Sequence, residues 1–462
     1  MSAGLGPSDL TALAAQLGPG HVLTDPADRW AYGYDNSRLH AVPDAVVLPG
    51  NAAEVAEVVR FCNARRIPLV PRGRGTGTTG ATVPVGGGVV LSLERMDRIL
   101  AIDATNRIAR VEPGVTNQRL QEAAAAVGFF WAPDPTSAAV CTVGGNLACN
   151  AAGPRAVKYG TARENTLGLR AVTGAGEEIR TGVMTTKGVV GYDFTRLLIG
   201  SEGTLAVITE ATLRLTPLPA ARRVMQAAYR DVRAAARAVS AIMAQPVTPC
   251  ALELMDRGAI DMIRGYSDLG LGPDVGALLM IEVDGSAAAV ESDAQALANA
   301  ATVEGLVSLA GADTPESAER LWRTRKALSP ALRNVAPKKI NEDVVVPVSR
   351  IPDLVEGLER LAAEHAVRIV NFGHAGNGNI HVNLLVNPDD AAEMARSERC
   401  LDATFDLVLS LGGTLSGEHG IGLVKRDFVG REIDPVTLRL MRDVKRQFDP
   451  NGILNPGKSL PG

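Results

Sequence analysis

The chain has 462 residues, of which 46% are hydrophobic and 21% are charged, and its formal net charge is −4. One hydrophobic core does not support a chain of this length, so we expect two or three domains. The weakly negative charge gives no sign of a nucleic-acid-binding surface. Five scattered cysteines without a CxxC pair argue against a disulfide framework or a cysteine-bound iron–sulfur cluster.

Neither a signal peptide nor a transmembrane segment is expected. The first nine residues lack the charged and apolar regions of a secretory signal. No apolar run approaches the roughly 18 residues that span a bilayer. We therefore expect a cytoplasmic protein.

The first glycine-rich segment, Arg72–Gly80, follows a predicted helix over residues 52–63 and a short apolar strand over Ile67–Pro71. Its GxGxxG spacing is typical of a Rossmann nucleotide site, but there the loop opens a helix. Here it leads into the strand-like residues 89–93, so we reject that reading. The glycines instead predict a loop whose main-chain N–H groups form a concave anion site.

Two further segments have a similar pattern. Thr142–Gly153 places a double glycine before a helix of small residues, and the N-terminus of that helix would favour a phosphate. Gly200–Thr209 reads as a tight turn that feeds a strand. Three such segments in the first 210 residues predict that the N-terminal half wraps a long phosphate-bearing ligand.

A domain boundary is predicted at Leu215-Thr-Pro-Leu-Pro219. Residues 220–370 then alternate amphipathic helices, at 231–244, 287–301 and 352–365, with apolar strands, which predicts a second α+β unit. The tail at 448–458 is rich in turn residues and has the pattern of an ordered segment.

Three of the six histidines fall in two short polar segments near the C-terminus. Apolar runs flank Ala-Gly-Asn-Gly-Asn, which predicts a hairpin that brings His374 and His381 together. Strand alternation puts Asn383 on the same face as His381. With Glu418, the two imidazoles form the ligand set of an open Zn²⁺-type site, and His419 is left beside it as a base.

The chain resembles the FAD-linked D-2-hydroxy acid dehydrogenases of the vanillyl-alcohol-oxidase flavoprotein superfamily. From about residue 40 to 460 it carries, in the order seen in that family, the motifs Arg72–Gly80, Val143–Asn146, Gly200–Thr204, His374–His381, Gly417–Gly420 and Asn455–Lys458. The resemblance implies an α+β fold with a two-subdomain FAD-binding domain at 1–218. It also implies an α+β cap domain with an antiparallel sheet and the metal site at 219–425, and a C-terminal segment at 426–462 that returns to the FAD domain.

The resemblance implies that FAD is bound without a covalent link, because this loop has Thr and Arg where some relatives have the attaching histidine. Glu202 and Gly203 are expected near the adenine side and Asn455 near the isoalloxazine. The expected FAD contacts are Arg72, Gly73, Arg74, Gly75, Thr76, Gly77, Thr78, Thr79, Pro135, Thr136, Gly144, Gly145, Asn146, Ala148, Asn150, Glu202, Gly203, Ile208 and Asn455.

The resemblance also implies roles in the C-terminal half. His374, His381 and Glu418 are expected to bind a divalent metal, with zinc as first choice, and His419 is expected to be the catalytic base. Arg325, Ser329 and Lys339 match the family's substrate-carboxylate residues, with Lys338 as an alternative to Lys339. The hairpin residue Asn383 is a further expected substrate contact.

The expected reaction is oxidation of a D-2-hydroxy acid to the 2-oxo acid, with D-lactate as first choice and D-2-hydroxyglutarate as second. A glycolate oxidase FAD subunit and an alkyl-transferring ether-lipid flavoenzyme are the alternatives within the flavoprotein class. A non-enzymatic subunit of a respiratory assembly is disfavoured by the intact histidine set. The electrons would pass to a separate electron-transfer flavoprotein, cytochrome or quinone carrier, through which the protein could lie at the membrane periphery. A homodimer is compatible with this picture.

Overall fold

The computed structural model describes residues 5–264, 271–312, 314–332 and 336–461. These residues form two compact units. The first comprises Met1–Ala152, Gly160–Leu218 and Glu418–Gly462, and the second comprises Gly153–Tyr159 and Pro219–Gly417. Both units combine helices with sheets, which confirms the predicted α+β class. No helix in the described ranges is long and apolar enough to cross a bilayer.

The first unit contains two main sheets. One is four-stranded in the order β1-β2-β4-β3, with strands β1 (Val22–Leu23), β2 (Ala45–Val47), β3 (Leu69–Arg72) and β4 (Val89–Ser92). The other is an antiparallel sheet in the order β5-β6-β10-β8-β9, with strands β5 (Ile99–Asp103), β6 (Ile108–Val111), β8 (Thr166–Thr173), β9 (Glu178–Gly182) and β10 (Ala206–Arg214). A short pair joins β7 (Phe129–Phe130) to β11 (Thr216–Pro217).

Helix α3 (Ala52–Arg65) confirms the helix predicted from the 3.6-residue periodicity. It begins where the Asn51 side chain accepts a hydrogen bond from the Glu54 amide, and it ends at Arg66 in the left-handed region. Its apolar face packs on the four-stranded sheet. The other helices of this unit are α1 (Pro7–Leu17), α2 (Pro26–Trp30), α4 (Asn117–Ala125), α5 (Val143–Cys149), α7 (Phe194–Leu198), α14 (Val429–Glu432) and α15 (Pro435–Phe448).

The second unit is built on a seven-stranded antiparallel sheet, as the resemblance implied. The strand order is β15-β12-β14-β13-β17-β18-β16. The strands are β12 (Ala221–Tyr229), β13 (Ala251–Asp256), β14 (Ala277–Gly285), β15 (Leu306–Gly311), β16 (Lys338–Val345), β17 (Arg368–His374) and β18 (Asn379–Val386).

Helices α9 (Arg257–Arg264) and α11 (Pro315–Ala331) pack against one face of this sheet. There Met255, Leu278 and Phe372 of the sheet contact Ile260 and Leu328 of the helices in a buried cluster. The helices predicted at 231–244, 287–301 and 352–365 are present as α8 (Val232–Met243), α10 (Val290–Ala301) and α12 (Ile351–His365). The helices of the unit are α6 (Ala156–Tyr159), α8 (Val232–Met243), α9 (Arg257–Arg264), α10 (Val290–Ala301), α11 (Pro315–Ala331), α12 (Ile351–His365) and α13 (Ala391–Ser410).

Two unit boundaries differ from those expected. The second unit ends at Gly417 and not at residue 425, because the amides of Leu423 and Val424 donate to the Thr79 carbonyl in the first unit. Residues 153–159 belong to the second unit although they lie within the expected FAD domain. Lys158 and Tyr159 bind the buried Asp284 carboxylate, at 2.6 and 2.8 Å, and hold the segment there.

The turn between β17 and β18 depends on Gly378, whose φ is +76°. A Cβ at this position would overlap the main-chain oxygen of Val346. Gly412 has nearly the same φ, +74°, but a Cβ there would have no heavy atom within 4 Å. Substituting alanine at Gly412 therefore measures the free-energy cost of the backbone conformation alone. The same substitution at Gly378 adds the cost of the overlap with Val346.

We expect Gly378→Ala to lower the free energy of unfolding by roughly 3–5 kcal/mol, because it combines a left-handed backbone with a main-chain clash. The matched control Gly412→Ala should cost only ~1 kcal/mol. Urea-induced unfolding followed by circular dichroism measures both. Equal losses in the two variants would contradict the role of the tight turn.

Candidate active site

The predicted hairpin is present and brings two histidines together. Strands β17 and β18 are joined by a short 3₁₀ turn at Ala375–Asn377, and Phe372 lies opposite His381. The rings of His374 and His381 have centroids 5.2 Å apart and are nearly perpendicular, at 85°. Both side chains are buried. Asn383 follows two residues after His381 on the same strand and therefore shares its face, as predicted.

Each of the two imidazoles has a buried carboxylate beside its Nδ1 atom. His374 Nδ1 lies 2.6 Å from Glu253 Oε1, and His381 Nδ1 lies 3.5 Å from Asp343 Oδ1. Burial alone would raise the pKa of Glu253, but the charges of His374 and Arg325 lower it below its ordinary value. Because Nδ1 of His374 lies within hydrogen-bond distance of Glu253, a metal bound by His374 would be bound through its Nε2 atom.

Four side chains form a group that could hold a metal ion. Asp343, His381, Glu418 and His419 each offer one ligand atom, and these atoms lie within 4.8 Å of one another. Glu418 and His419 directly follow Gly417, whose amide donates to the Asp343 carboxylate at 2.9 Å. Imidazole and carboxylate donors are those that zinc binds, so the residues present fit such an ion.

This group differs from the predicted ligand set in two ways. Asp343 belongs to it, although the sequence analysis did not select that residue. His374 does not belong to it, although its ring lies beside that of His381. His419, expected as a base, offers its ligand atom within the group. Asp343 is fully buried in β16, directly before Val344 and Val345. The same strand holds two lysines, an asparagine and a glutamate, so no local pattern in the sequence singled out Asp343.

Arg325 lies on α11 and points its guanidinium at Glu253, with the two charged groups 2.7 Å apart. The guanidinium also lies over the Phe372 ring, 4.8 Å from its centroid. Only 8% of Arg325 is exposed, so its charge depends on the Glu253 partner. This places one predicted substrate residue next to the histidine pair.

The other predicted substrate residues are placed mainly by strand register. Asn383 donates from Nδ2 to the carbonyls of Val370 and His381, and within the described ranges its buried Oδ1 has no hydrogen-bond partner. Strand β16 pairs Asp343 with His381, so alternation puts Lys339, and not Lys338, on their face. Ser329 lies in α11, but its side chain is outside the described part of the structure.

The first glycine loop fits a phosphate-bearing ligand. In the described part of the chain, the main-chain N–H groups of residues 73–79 donate to no protein acceptor. Two buried polar atoms nearby, Asp35 Oδ2 and Thr79 Oγ1, also have no hydrogen-bond partner in the described ranges. Such groups cost free energy unless a ligand or solvent satisfies them, which agrees with a bound FAD.

The second segment does not behave as predicted. Helix α5 begins at Val143, but its first amides are already used: Val143 and Gly144 donate to main-chain carbonyls, and Gly145 donates to Thr142 Oγ1. The expectation that this helix end would bind a phosphate was therefore wrong in its mechanism. Gly144 is required for packing, because a Cβ there would lie 2.6 Å from the Pro113 side chain.

The remaining predicted FAD residues lie in the first unit. Asn455 donates to the carbonyls of Ala81 and Glu202, the latter at 2.7 Å. Asn455 and Glu202 are therefore in direct contact, whereas the resemblance implied that they lie at opposite ends of FAD. The Glu202 carboxylate is held by the amides of Ile421 and Gly422. Also within the first unit lie Arg74, Pro135, Thr136, Asn146, Ala148, Asn150, Gly203 and Ile208.

Lys458 is a buried cation that the sequence analysis did not select. It donates to Asn455 Oδ1 at 2.6 Å and is 4% exposed. Burial lowers its pKa to about 7, although the charges of Asp35 and Glu202 act in the opposite direction. The ammonium is therefore partly neutral near physiological pH.

Comparison with known proteins identifies the family of the chain. The chain matches the family described as "FAD binding domain" over residues 43–182 and "FAD linked oxidases, C-terminal domain" over residues 218–459. It is 38% identical over 442 residues to the glycolate oxidase subunit GlcD of Bacillus subtilis, covering 96% of this chain and 94% of that protein. It is 37% identical over 441 residues to the D-lactate dehydrogenase of Archaeoglobus fulgidus, covering 94% and 96%.

Solved structures share the fold at lower identity. The crystal structure of p-cresol methylhydroxylase with substrate bound has a TM-score of 0.80 at 18% identity, covering 98% of this chain and 96% of that chain. Alkyldihydroxyacetonephosphate synthase has a TM-score of 0.75 at 19% identity, covering 98% and 85%. These similarities confirm the flavoprotein fold implied by the motifs.

The lowered pKa of Lys458 predicts a pH-dependent stability difference between the flavin-free protein and its Lys458→Met variant. The unfolded lysine binds its proton up to about pH 10.5, whereas the folded one releases it near pH 7. The cost of burying the charge is thus complete below pH 7 and is relieved as pH rises from 7 towards 10. Lys458→Met has no such charge to bury and should therefore be more stable than the wild type in urea unfolding below pH 7. This difference in the free energy of unfolding should shrink between pH 7 and pH 10. A constant difference from pH 6.5 to 9.5 would contradict this.

Proposed function

This chain belongs to the FAD-linked oxidases and is an oxidoreductase acting on CH–OH donors, and we propose that it oxidises a small D-2-hydroxy acid to the 2-oxo acid with the help of a divalent metal. The observation that carries the proposal is the buried pair of imidazoles with a guanidinium beside it. The rings of His374 and His381 have centroids 5.2 Å apart. Arg325 and His374 both contact the Glu253 carboxylate.

The proposed metal would be held by His381, Glu418 and Asp343 of the group described above. We propose that His374, whose ring lies 5.2 Å from that of His381, completes the ligand set. A bound divalent cation supplies a Lewis acid that lowers the pKa of a coordinated hydroxyl. A 2-hydroxy acid suits such a site because its hydroxyl and carboxylate oxygens can chelate one ion. Zinc is our first choice because its usual donors are present.

The chain's own residues would orient the acid and move its proton. Arg325 presents a planar guanidinium, which binds a carboxylate through two parallel hydrogen bonds and fixes its direction. His419 would accept the hydroxyl proton, since an imidazole is the side chain suited to proton transfer near neutral pH. Asn383 Oδ1, which has no hydrogen-bond partner among the described residues, is a further acceptor on the same sheet face.

FAD would bind on the first unit along the loop of residues 72–79 and supplies the hydride acceptor when bound. The main-chain amides of residues 73–79, which donate to no acceptor in the part of the chain that the structure describes, would hold the pyrophosphate. Asn455 and Glu202 would lie together at one end of the cofactor site. A covalent link is not expected, because neither arginine nor threonine in this loop is a known attachment residue.

D-lactate and glycolate are the two substrates that the comparisons favour, since the relatives include a D-lactate dehydrogenase and a glycolate oxidase subunit. Both acids need one carboxylate clamp, which Arg325 provides. D-2-hydroxyglutarate would need a second cation for its distal carboxylate, and Lys339 lies on the correct sheet face for that role. D-lactate is our first choice, and the relatives support glycolate equally.

The electrons would leave to a separate acceptor. The chain has no CxxC motif, and no helix in the described ranges spans a bilayer. We propose that an electron-transfer flavoprotein, a cytochrome or a quinone carrier reoxidises the flavin.

Anaerobic mixing of the purified yellow protein with D-lactate, glycolate or D-2-hydroxyglutarate tests the proposal. We expect D-lactate or glycolate to bleach the flavin absorbance, and prior treatment with a chelator to abolish bleaching without releasing FAD. Added Zn²⁺ should restore it. Colourless protein, or a flavin that none of the three acids bleaches, would exclude the proposed reaction.

His419→Ala should reduce the bleaching rate by about 10²–10⁴-fold because it removes the proton acceptor. FAD absorbance and bound zinc should be unchanged. His365→Ala is the matched control, since His365 lies at the end of α12 away from the histidine hairpin, and its rate should equal that of the wild type. Loss of zinc from His419→Ala would make His419 a ligand and contradict its role as base.

A further inference from the structure

Glu253 connects two parts of the proposed site that are far apart in sequence. It lies at the centre of β13, directly opposite His374 on β17, and its side chain is completely buried. One carboxylate oxygen is 2.6 Å from His374 Nδ1 and the other is 2.7 Å from the Arg325 guanidinium. One carboxylate thus contacts both a proposed metal ligand and the proposed substrate clamp.

We infer that Glu253 is a positioning residue that fixes His374 for the metal and Arg325 for the substrate carboxylate at the same time. This inference rests on the proposed function, because both targets are defined by it. Glu253 itself would touch neither the metal nor the substrate.

The chemistry of the imidazole explains how Glu253 would fix His374 for the metal. An imidazole binds a metal through one nitrogen only if the other carries the proton. A carboxylate beside Nδ1 accepts that proton's hydrogen bond, which leaves the lone pair on Nε2 and holds the ring in one orientation. The sheet register alone places the His374 ring near His381, but it does not select the tautomer.

The charge of the Glu253 carboxylate explains how it would fix Arg325 for the substrate. Arg325 is almost fully buried, and a buried guanidinium without a partner would be costly and would turn towards any available acceptor. Glu253 holds it on one side while the Phe372 ring supports its plane. The remaining N–H groups of the guanidinium then have a fixed direction for a substrate carboxylate.

The neighbouring acid Glu282 is a control that the chain itself provides. It is also buried on the same face of the sheet, on β14, and its carboxylate accepts from the Trp322 indole of α11. It contacts the same helix as Glu253 does, but no interaction joins it to His374 or Arg325 in the described structure. Glu282→Gln therefore reproduces the loss of a buried charge without disturbing the two targets.

Zn²⁺ titrated into chelator-treated flavoprotein reports on the histidine independently of turnover. Glu253→Ala should weaken Zn²⁺ binding by about 10–100-fold, as loss of a histidine's carboxylate partner typically does. Glu253→Gln keeps an acceptor oxygen for Nδ1–H and should stay within about threefold of the wild type. In a His374→Ala background, Glu253→Ala should add no further loss, because Glu253 acts on the metal only through that ring.

Turnover with D-lactate reports on the arginine. Glu253→Gln should lower kcat by roughly 10–100-fold with a smaller change in KM, because a misdirected clamp spoils the reacting geometry more than it weakens binding. The same substitution should have little effect once Arg325→Met is present. Glu282→Gln should leave both Zn²⁺ affinity and kcat unchanged.

The inference is overturned if Glu253→Ala binds Zn²⁺ as tightly as Glu282→Gln does, or if its losses simply add to those of His374→Ala. If Glu253→Ala does not fold, the isosteric Glu253→Gln decides, and an unchanged kcat overturns the proposal. Failure of the proposed function looks different. In that case the wild type itself binds no metal, or none of the three hydroxy acids bleaches its flavin.

Discussion

The register of four adjacent strands, β13, β17, β18 and β16, is the constraint on which the proposed substrate site depends. Glu253 pairs with His374, Phe372 pairs with His381, and His381 pairs with Asp343. Because side chains alternate along a strand, these pairings put two imidazoles and two carboxylates on a single face of the sheet. A slip of one residue would turn any of them to the opposite face. The tight turn at Gly378 fixes the pairing of β17 with β18, since only glycine combines its backbone conformation with the close approach of Val346.

That sheet face is unusual because it carries charge inside a packed core. Leu278, Met280 and Leu328 surround the site in the cluster formed with α9 and α11. A buried carboxylate or guanidinium costs several kcal/mol when it has no partner, and a well-packed apolar residue would serve stability as well or better. The Glu253–Arg325 pair is therefore better explained by the geometry it imposes than by stability. The same reasoning applies to Asp343, which binds Asn379 and the Gly417 amide and so fixes the chain immediately before Glu418.

Local patterns in the sequence predicted much of this protein. The periodicity of residues 52–63 gave a helix, and the Gly/Asn segment between two apolar runs gave the histidine hairpin, because both signals are local. The glycine loop at 72–80 was distinguished from a Rossmann loop by the strand that follows it. Pairings between distant strands were not predictable from one sequence, so Asp343 and Glu253 were not selected. The phosphate site expected at Val143 failed for a related reason: free amides were expected from local sequence, but residues 113 and 115 satisfy them.

X-ray absorption at the zinc edge of the metal-loaded flavoprotein tests the central claim most directly, namely that strand register builds a metal site from this hairpin. We predict a shell with two imidazole nitrogens at about 2.0–2.1 Å together with carboxylate oxygen, and loss of one imidazole contribution in His381→Ala. A shell made of oxygen alone, or a spectrum that His381→Ala leaves unchanged, would contradict the account.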